Sequence, residues 1–572
     1  MLGLISGGVS GRSPASPGTA AINWAERPFA RALSARHMSE SERIFLSGNE
    51  AVALAARKAG AALGAGYPGT PSTEILEQFS ALGGHAQWSP NEKVAFEVAL
   101  GAAFGGARAI VTMKHVGLNV AADPLFTAAY TGVTGALVVV SADDPGMASS
   151  QNEQDNRRYA VAAGVPMLEP ADSQDAYDFL MAAVEISERW RTPVLLRMTT
   201  RVCHSKTVVR PVRTVPKAAE AHFVRDIPGR VMIPAYARKA HRRLRAKFAE
   251  MAAWNETSGL HRTLPGDAAL GIISSGIAAV HAREAAPQAA MLRLGMTYPL
   301  PLALIRQFAG GVRRCVVIEE GDPYLVESIR AAGIAVEGKD EMHRFGELTV
   351  DRVRRILAED TSPEPSPPPG RPPQLCQGCP HRAVFEVLGR LKCIVSGDIG
   401  CYTLGVLPPF EAMDTCVCMG ASIGAGLGLR HVLPEAEARR VVSVIGDSTF
   451  VHSGITGLVE MIYNPPPTGH VVIILDNDTT AMTGLQEHPG TGRTLDHRPT
   501  GRVVFEDLAR ALGVERVFVI DPVKEPASFE QRLTESLAAS SPTVIIVRRP
   551  CLLGARKALD RERGAKGGAA SE

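Results

Sequence analysis

Two apolar runs in this chain end on residues that can bind a hard cation. VVSVI runs into Gly446-Asp447-Ser448, and HVVIIL runs into Asp476-Asn477-Asp478, with a helical pattern between them. Two buried parallel strands joined by a crossover helix read this way. Each strand then delivers an oxygen ligand at its C-terminal end, where open α/β sheets bind ligands. A carboxylate, an amide oxygen and a backbone carbonyl just after them suit Mg²⁺, which is usually shared with a phosphate-bearing partner. The plainer alternative is an ordinary strand-helix-strand unit with polar strand ends.

Sulfur is the second chemical signal. Cys376 and Cys379 form a Cys-x-x-Cys, Cys401 follows the strand-like run CIVS, and Cys551 follows TVIIVRR. The pair alone fits zinc, dithiol redox chemistry or an iron–sulfur centre. The two later cysteines stand at strand C-terminal ends, on the edge that carries Asp447. Cys416 and Cys418, just before Gly420 and a Gly/Ala-rich helix, read as packed small residues.

The third signal lies far upstream. Gly66-Tyr67-Pro68-Gly69-Thr70-Pro71-Ser72-Thr73 is a rigid loop by its prolines and glycines. Ser72 or Thr73 is expected to cap the next helix, and hydroxyls and free amides at a helix start suit an anion such as a substrate carboxylate. A capped loop without ligand is the plainer reading. Glu92 opens the helical run EKVAFEVALGAAF, where a carboxylate also simply favours the helix dipole.

The elements that position these residues follow from composition and pattern. A length of 572 residues implies about three to four domains. The 61 basic and 59 acidic residues leave a net charge of +2, which favours neither nucleic acid nor a membrane surface. No apolar run approaches the roughly 20 residues of a membrane span. Nine cysteines are too sparse for a disulfide scaffold and suggest a reducing, cytoplasmic setting. Residues 1–42, with Glu26 as the one acid before Met38, are expected to be a disordered extension, either a transit peptide or an upstream start with Met38 as the true initiator. Helices alternate with apolar strands over 43–208, which predicts an α/β unit with a parallel sheet; TPVLLRMTTRV is its closing strand. Residues 209–266 read as a solvated basic helical linker, 267–360 as a second α/β domain with the strand MLRLGM, 361–373 as a Pro-rich linker, 374–550 as a third α/β domain, and 551–572 as a tail.

The stretch from Val441 to Gln486 resembles the diphosphate-binding motif of thiamine-diphosphate enzymes, with Gly-Asp-Ser and Asp-Asn standing for its usual Gly-Asp-Gly and Asn-Asn. GYPGTPSTEI, NEKVAFEVALGAA and VTMKHVGLN, in that order, resemble the 2-oxoacid:ferredoxin oxidoreductases, and within them the alpha subunits of the indolepyruvate branch. The resemblance covers roughly residues 43–551. It implies a pyrimidine-type and a diphosphate-type domain, both α/β, flanking a transketolase-C-terminal-like domain. It also implies that Asp447, Asn477 and the Thr479 carbonyl hold Mg²⁺, with Gly420, Gly446 and Ser448 beside the cofactor. Glu92 would meet the aminopyrimidine, with Glu97 as second choice; Thr70 would touch substrate, and Lys114 and His115 would pair with its carboxylate. Cys376, Cys379, Cys401 and Cys551 match the [4Fe–4S] ligands of related beta subunits, a set that zinc can also use.

The implied reaction is oxidative decarboxylation of a 2-oxoacid, expected to be an aryl pyruvate, to acyl-coenzyme A and CO₂, with electrons passing to ferredoxin and a smaller beta subunit completing a hetero-oligomer. Two rivals are a non-oxidative decarboxylase, which needs no cluster, and a scaffold subunit. The resemblance breaks at the C-terminal end: no cysteine follows Cys551. A ferredoxin-like domain is therefore expected to be missing, with electrons leaving directly to a partner.

Overall fold

The computed structural model describes residues 43–364 and 373–568, with side chains up to 560. The N-terminal extension and most of the Pro-rich linker lie outside the described residues. The first unit contains β1 (Ile44–Ser47), β2 (Leu63–Gly66), β3 (Ala86–Trp88), β4 (Arg108–Lys114), β5 (Ala136–Asp143), β6 (Met167–Leu168), β7 (Val194–Thr199) and β8 (Lys206–Val209). Strands β2 to β7 form a parallel sheet in the order β6-β7-β5-β4-β2-β3. Its centre, β5, is buried along its whole length, as its run ALVVVSA requires. The expected closing strand stops at Thr199; a helical turn, Thr200–His204, follows, and β8 returns antiparallel to β1.

The second unit holds β9 (Arg262–Leu264), β10 (Asp267–Ser275), β11 (Ala289–Leu294), β12 (Met296–Tyr298) and β13 (Arg314–Ile318). MLRLGM is thus not one strand. Its first part, β11, joins the small sheet β13-β10-β11-β9, while β12 crosses to pair antiparallel with β6 of the first unit. Ahead of it, residues 210–226 run without helix or strand before the helix Pro234–Asn255. A buried ion network ties the two units. Arg157 pairs with Asp155 at 2.5 Å and Glu319 at 2.6 Å, and Arg197 pairs with Asp143 at 2.7 Å and Glu169 at 2.6 Å. Glu319 also accepts the amides of Leu325 and Val326 at the next helix start.

The third unit is an all-parallel six-stranded sheet of β14 (Ile394–Gly397), β15 (Thr415–Cys416), β16 (Val441–Gly446), β17 (Val471–Asp476), β18 (Arg516–Ile520) and β19 (Thr543–Arg548), ordered β15-β14-β16-β17-β19-β18. Along β17 the period of two is plain: Val471, Ile473 and Leu475 enter one core, Val472 and Ile474 the other. Two apolar layers thus hold both faces of the sheet, and Asp447, Asn477 and Cys401 stand beyond its C-terminal edge.

Candidate active site

Strand register brings the first set together. Gly446 of β16 pairs with Leu475 of β17, so Asp447 and Asn477 leave the sheet side by side. Asp447 is buried, and its carboxylate organises the edge. Oδ1 accepts the Ser448 amide at 2.8 Å, and Oδ2 accepts those of Asn477 at 3.0 Å and Asp478 at 2.8 Å. Asp478 has φ +62°, which turns the chain back so that both amides reach one oxygen. Asn477 Oδ1 accepts the Thr479 amide at 3.2 Å, and its Nδ2 lies 3.3 Å from His381 Nε2.

These donors fit a hard cation. Asp447, Asp476 and Asp478 concentrate negative charge at one edge, and burial pushes both Asp476 and Asp478 above the usual carboxylate range. His488 Nε2 lies 3.3 Å from Asp447 Oδ2, yet has no hydrogen-bond partner among the described residues. Burial pulls its imidazole down, but Asp447 and the two further aspartates outweigh that and hold it above its ordinary value.

The third and first units meet at Glu92. Asn91 caps the helix Glu92–Phe104 by accepting the Val94 amide at 2.9 Å, which sets Glu92 at the helix start. Its Oε2 lies 2.8 Å from Nε2 of His452, in a π turn, Phe450–Gly454, of the helix that follows Asp447. Tyr67 packs edge-on against His452 with centroids 4.8 Å apart, and its hydroxyl is 2.7 Å from that of Ser448. Thr480 donates to the same Ser448 hydroxyl at 2.8 Å. Gly420, at φ +86°, lies against Ser453: a Cβ there would stand 2.5 Å from the serine Cβ. Glu97 is on the opposite helix face, exposed and paired with Lys93.

The four cysteines line one cavity of about 900 Å³, which also reaches Thr70, Asn477 and Met482. Cys379 stands at the N-terminus of the helix Pro380–Arg390, and Cys401 opens the turn after β14. The Cys551 amide donates to the Asn477 carbonyl at 2.9 Å, so the sulfur and oxygen sets share a backbone link. Burial raises the Cys379 thiol to about 11 and the Cys401 thiol to about 12, and Cys376 and Cys551 add to the rise of both. Cysteines that converge in this way are held together as thiolates by a positive centre. Among the described residues no three His, Cys, Asp or Glu side chains close around a single ion point.

Other expectations fare differently. Cys416 and Cys418 are exposed, not packed: Cys416 ends β15, the sheet's outermost strand, and Cys418 lies in the bend just after it. Ser72 stands at the helix start, but its hydroxyl donates back to Gly69 O at 3.0 Å instead of capping. Lys114 lies behind the cavity wall, donating to Ser149 O at 2.7 Å, and the buried His115 lies 3.1 Å from Asn152 O. His452, Tyr67, His381 and His488 were not singled out from the sequence. Their signal was faint: lone histidines and an aromatic beside motif residues.

Comparison with known proteins bears on this geometry. The family "Pyruvate flavodoxin/ferredoxin oxidoreductase, thiamine diP-bdg" matches residues 54–229, and "Thiamine pyrophosphate enzyme, C-terminal TPP binding domain" matches residues 398–547. The chain is thus of the thiamine-diphosphate-binding 2-oxoacid oxidoreductase class. "Indolepyruvate oxidoreductase subunit IorA" of Archaeoglobus fulgidus is 39% identical over 92% of this chain and 89% of its own length; that of Methanothermobacter thermautotrophicus is 40% identical over 90% and 88%. The chain belongs to this family of indolepyruvate oxidoreductase subunits. A solved 2-oxoglutarate:ferredoxin oxidoreductase from Magnetococcus marinus aligns at 18% identity and TM-score 0.48, over 56% of this chain and 65% of that one. No helix among the described residues is long and apolar enough to cross a membrane.

Proposed function

We propose that this chain is the catalytic subunit that oxidatively decarboxylates aryl pyruvates, indolepyruvate foremost, to acyl-coenzyme A and CO₂. Ferredoxin takes the electrons, a smaller beta subunit completes the assembly, and the setting is the cytoplasm. The observation that carries this reading is a convergence. Glu92 of the first unit reaches the helix that follows Asp447, while the Cys551 amide bonds the Asn477 carbonyl on the same sheet edge.

Thiamine diphosphate, when bound, supplies the carbanion chemistry of decarboxylation, and the protein binds and orients it. Asp447, Asn477 and the Thr479 carbonyl would hold Mg²⁺ on its diphosphate, beside Gly446 and Ser448. Gly420, whose close approach to Ser453 excludes a larger residue, would stand beside the cofactor. Glu92 would stand against the aminopyrimidine nitrogen, where its carboxyl can hold or release a proton. Thr70 lines the cavity and would touch substrate; Lys114, which donates to the lining residue Ser149, and its neighbour His115 would pair with the substrate carboxylate. Cys376, Cys379, Cys401 and Cys551 would hold a [4Fe–4S] cluster; a cavity of about 900 Å³ is ample for a multinuclear centre.

Iron and acid-labile sulfide in anaerobically purified protein test this. About four irons per chain, lost in Cys551→Ser, are expected from the four-thiolate requirement. An iron-free protein that still releases CO₂ from 2-oxoacids is a non-oxidative lyase. A protein that fails to bind thiamine diphosphate with Mg²⁺ in calorimetry is a scaffold.

A further inference from the structure

We infer that His452 is a positioning residue for Glu92: its Nε2 holds one carboxylate oxygen and leaves the other for the aminopyrimidine of thiamine diphosphate. This rests on the reading of Glu92 given above. The two side chains are 1% and 6% exposed, and the contact joins the first and third units across 360 residues of chain.

The imidazole is held from several directions. Nδ1 lies 2.7 Å from the Ser453 hydroxyl. A carboxylate only accepts, so Nε2 carries the ring proton and donates to Glu92 Oε2, which leaves Nδ1 to accept from the Ser453 hydroxyl. The His452 carbonyl accepts Asn91 Nδ2 at 2.9 Å, while Asn91 Oδ1 caps the Glu92 helix. One asparagine therefore sets both members of the pair in register. Tyr67 closes one edge of the ring. The π turn shifts the helical repeat locally, which re-aims a side chain.

Glu92 is confined from the other side as well. A Cβ on Gly117 would fall 2.6 Å from its Oε1, so that oxygen faces bare backbone. With Oε2 on His452 and Oε1 beside Gly117, the carboxylate has a fixed plane, and Oε1 is the oxygen left without a hydrogen bond among the described residues. Such a locked side chain is what a proton exchange at a defined ring nitrogen needs.

A double-mutant cycle tests the inference in the full-length protein with its partner subunit. His452→Ala, Glu92→Gln and the double variant are compared for thiamine diphosphate affinity in calorimetry with Mg²⁺, for hydrogen–deuterium exchange at the thiazolium C2 of bound cofactor, and for melting without cofactor. A charge-assisted hydrogen bond of this kind corresponds to about tenfold to a hundredfold in rate or affinity. His452→Ala is expected to slow exchange by that factor in the Glu92 background and to have little further effect beside Glu92→Gln. His452→Gln, whose amide can still donate, should recover most of the rate. Equal slowing in both backgrounds, or a lower melting temperature with unchanged exchange, overturns the inference. Wild-type exchange in Glu92→Gln overturns the reading of Glu92 itself, and the inference with it.

Discussion

Gly117→Ala puts a single methyl group against the candidate site. Gly117 lies in the helix His115–Val120 and its φ is not positive, so alanine suits the backbone and gains helix propensity of about 0.5–1 kcal/mol. Its Cβ, however, would sit 2.6 Å from both Cγ and Oε1 of Glu92. Ordinary contact begins near 3.4 Å, so the glutamate must move by close to an ångström. It is pinned by His452 at 2.8 Å, and rotation breaks that bond. Loss of a charge-assisted hydrogen bond costs about 1.5–3 kcal/mol, which the helix gain offsets only in part. The net loss of about 0.5–2.5 kcal/mol should lower the melting temperature by a few degrees. Thiamine diphosphate affinity should fall about tenfold to a hundredfold, because the displaced carboxylate meets the cofactor wrongly. Calorimetric titration with the cofactor and Mg²⁺, beside a thermal melt of the same sample, reads both. Unchanged affinity in a folded Gly117→Ala protein would refute the placement of Glu92 at the cofactor.

Three further predictions concern charge. Asp447→Ala removes the acceptor of three backbone amides as well as the candidate metal ligand; Mg²⁺-dependent cofactor binding should vanish and unfolding should cost about 1–3 kcal/mol less for each amide left unpaired, read by calorimetry and urea melts. Arg157→Met leaves Asp155 and Glu319 buried without their cation, so stability should drop by about 3–5 kcal/mol in denaturant titration. Glu320 is held by burial at about 7, above the ordinary glutamate value, and its Oε1 has no partner among the described residues. A raised carboxylate favours the fold while protonated: its contribution is full below the unfolded-state value near 4.5 and is lost as pH rises through about 7. Glu320→Gln should flatten stability across that window.

The sheet edge was legible in the sequence because its strands are short β-branched runs buried on both faces, each ended by a polar residue. That pattern located Asp447, Asn477, Cys401 and Cys551 and put them on one side. What pairs across the seam was not legible. His452 belongs to a helical stretch whose local repeat is altered by a π turn, so ideal spacing misplaces its face. The local pair Asp155 and Arg157 is buried because Arg157 also reaches Glu319 of the second unit, a contact that no local pattern announces. β12 was hidden because Leu294 and Met296 are both apolar and buried, and periodicity does not tell which sheet an apolar residue joins. Exposure of Cys416 and Cys418 depends on β15 being an edge, which is a matter of strand order.

The most direct measurement is product analysis with the anaerobically purified assembly. A panel of 2-oxoacids is supplied with thiamine diphosphate, Mg²⁺, coenzyme A and an electron-accepting dye. The account predicts dye reduction that requires coenzyme A, is fastest with indolepyruvate, and yields acyl-coenzyme A and CO₂ in equal amounts. Release of an aldehyde and CO₂ without dye reduction, unaffected by coenzyme A, would contradict it.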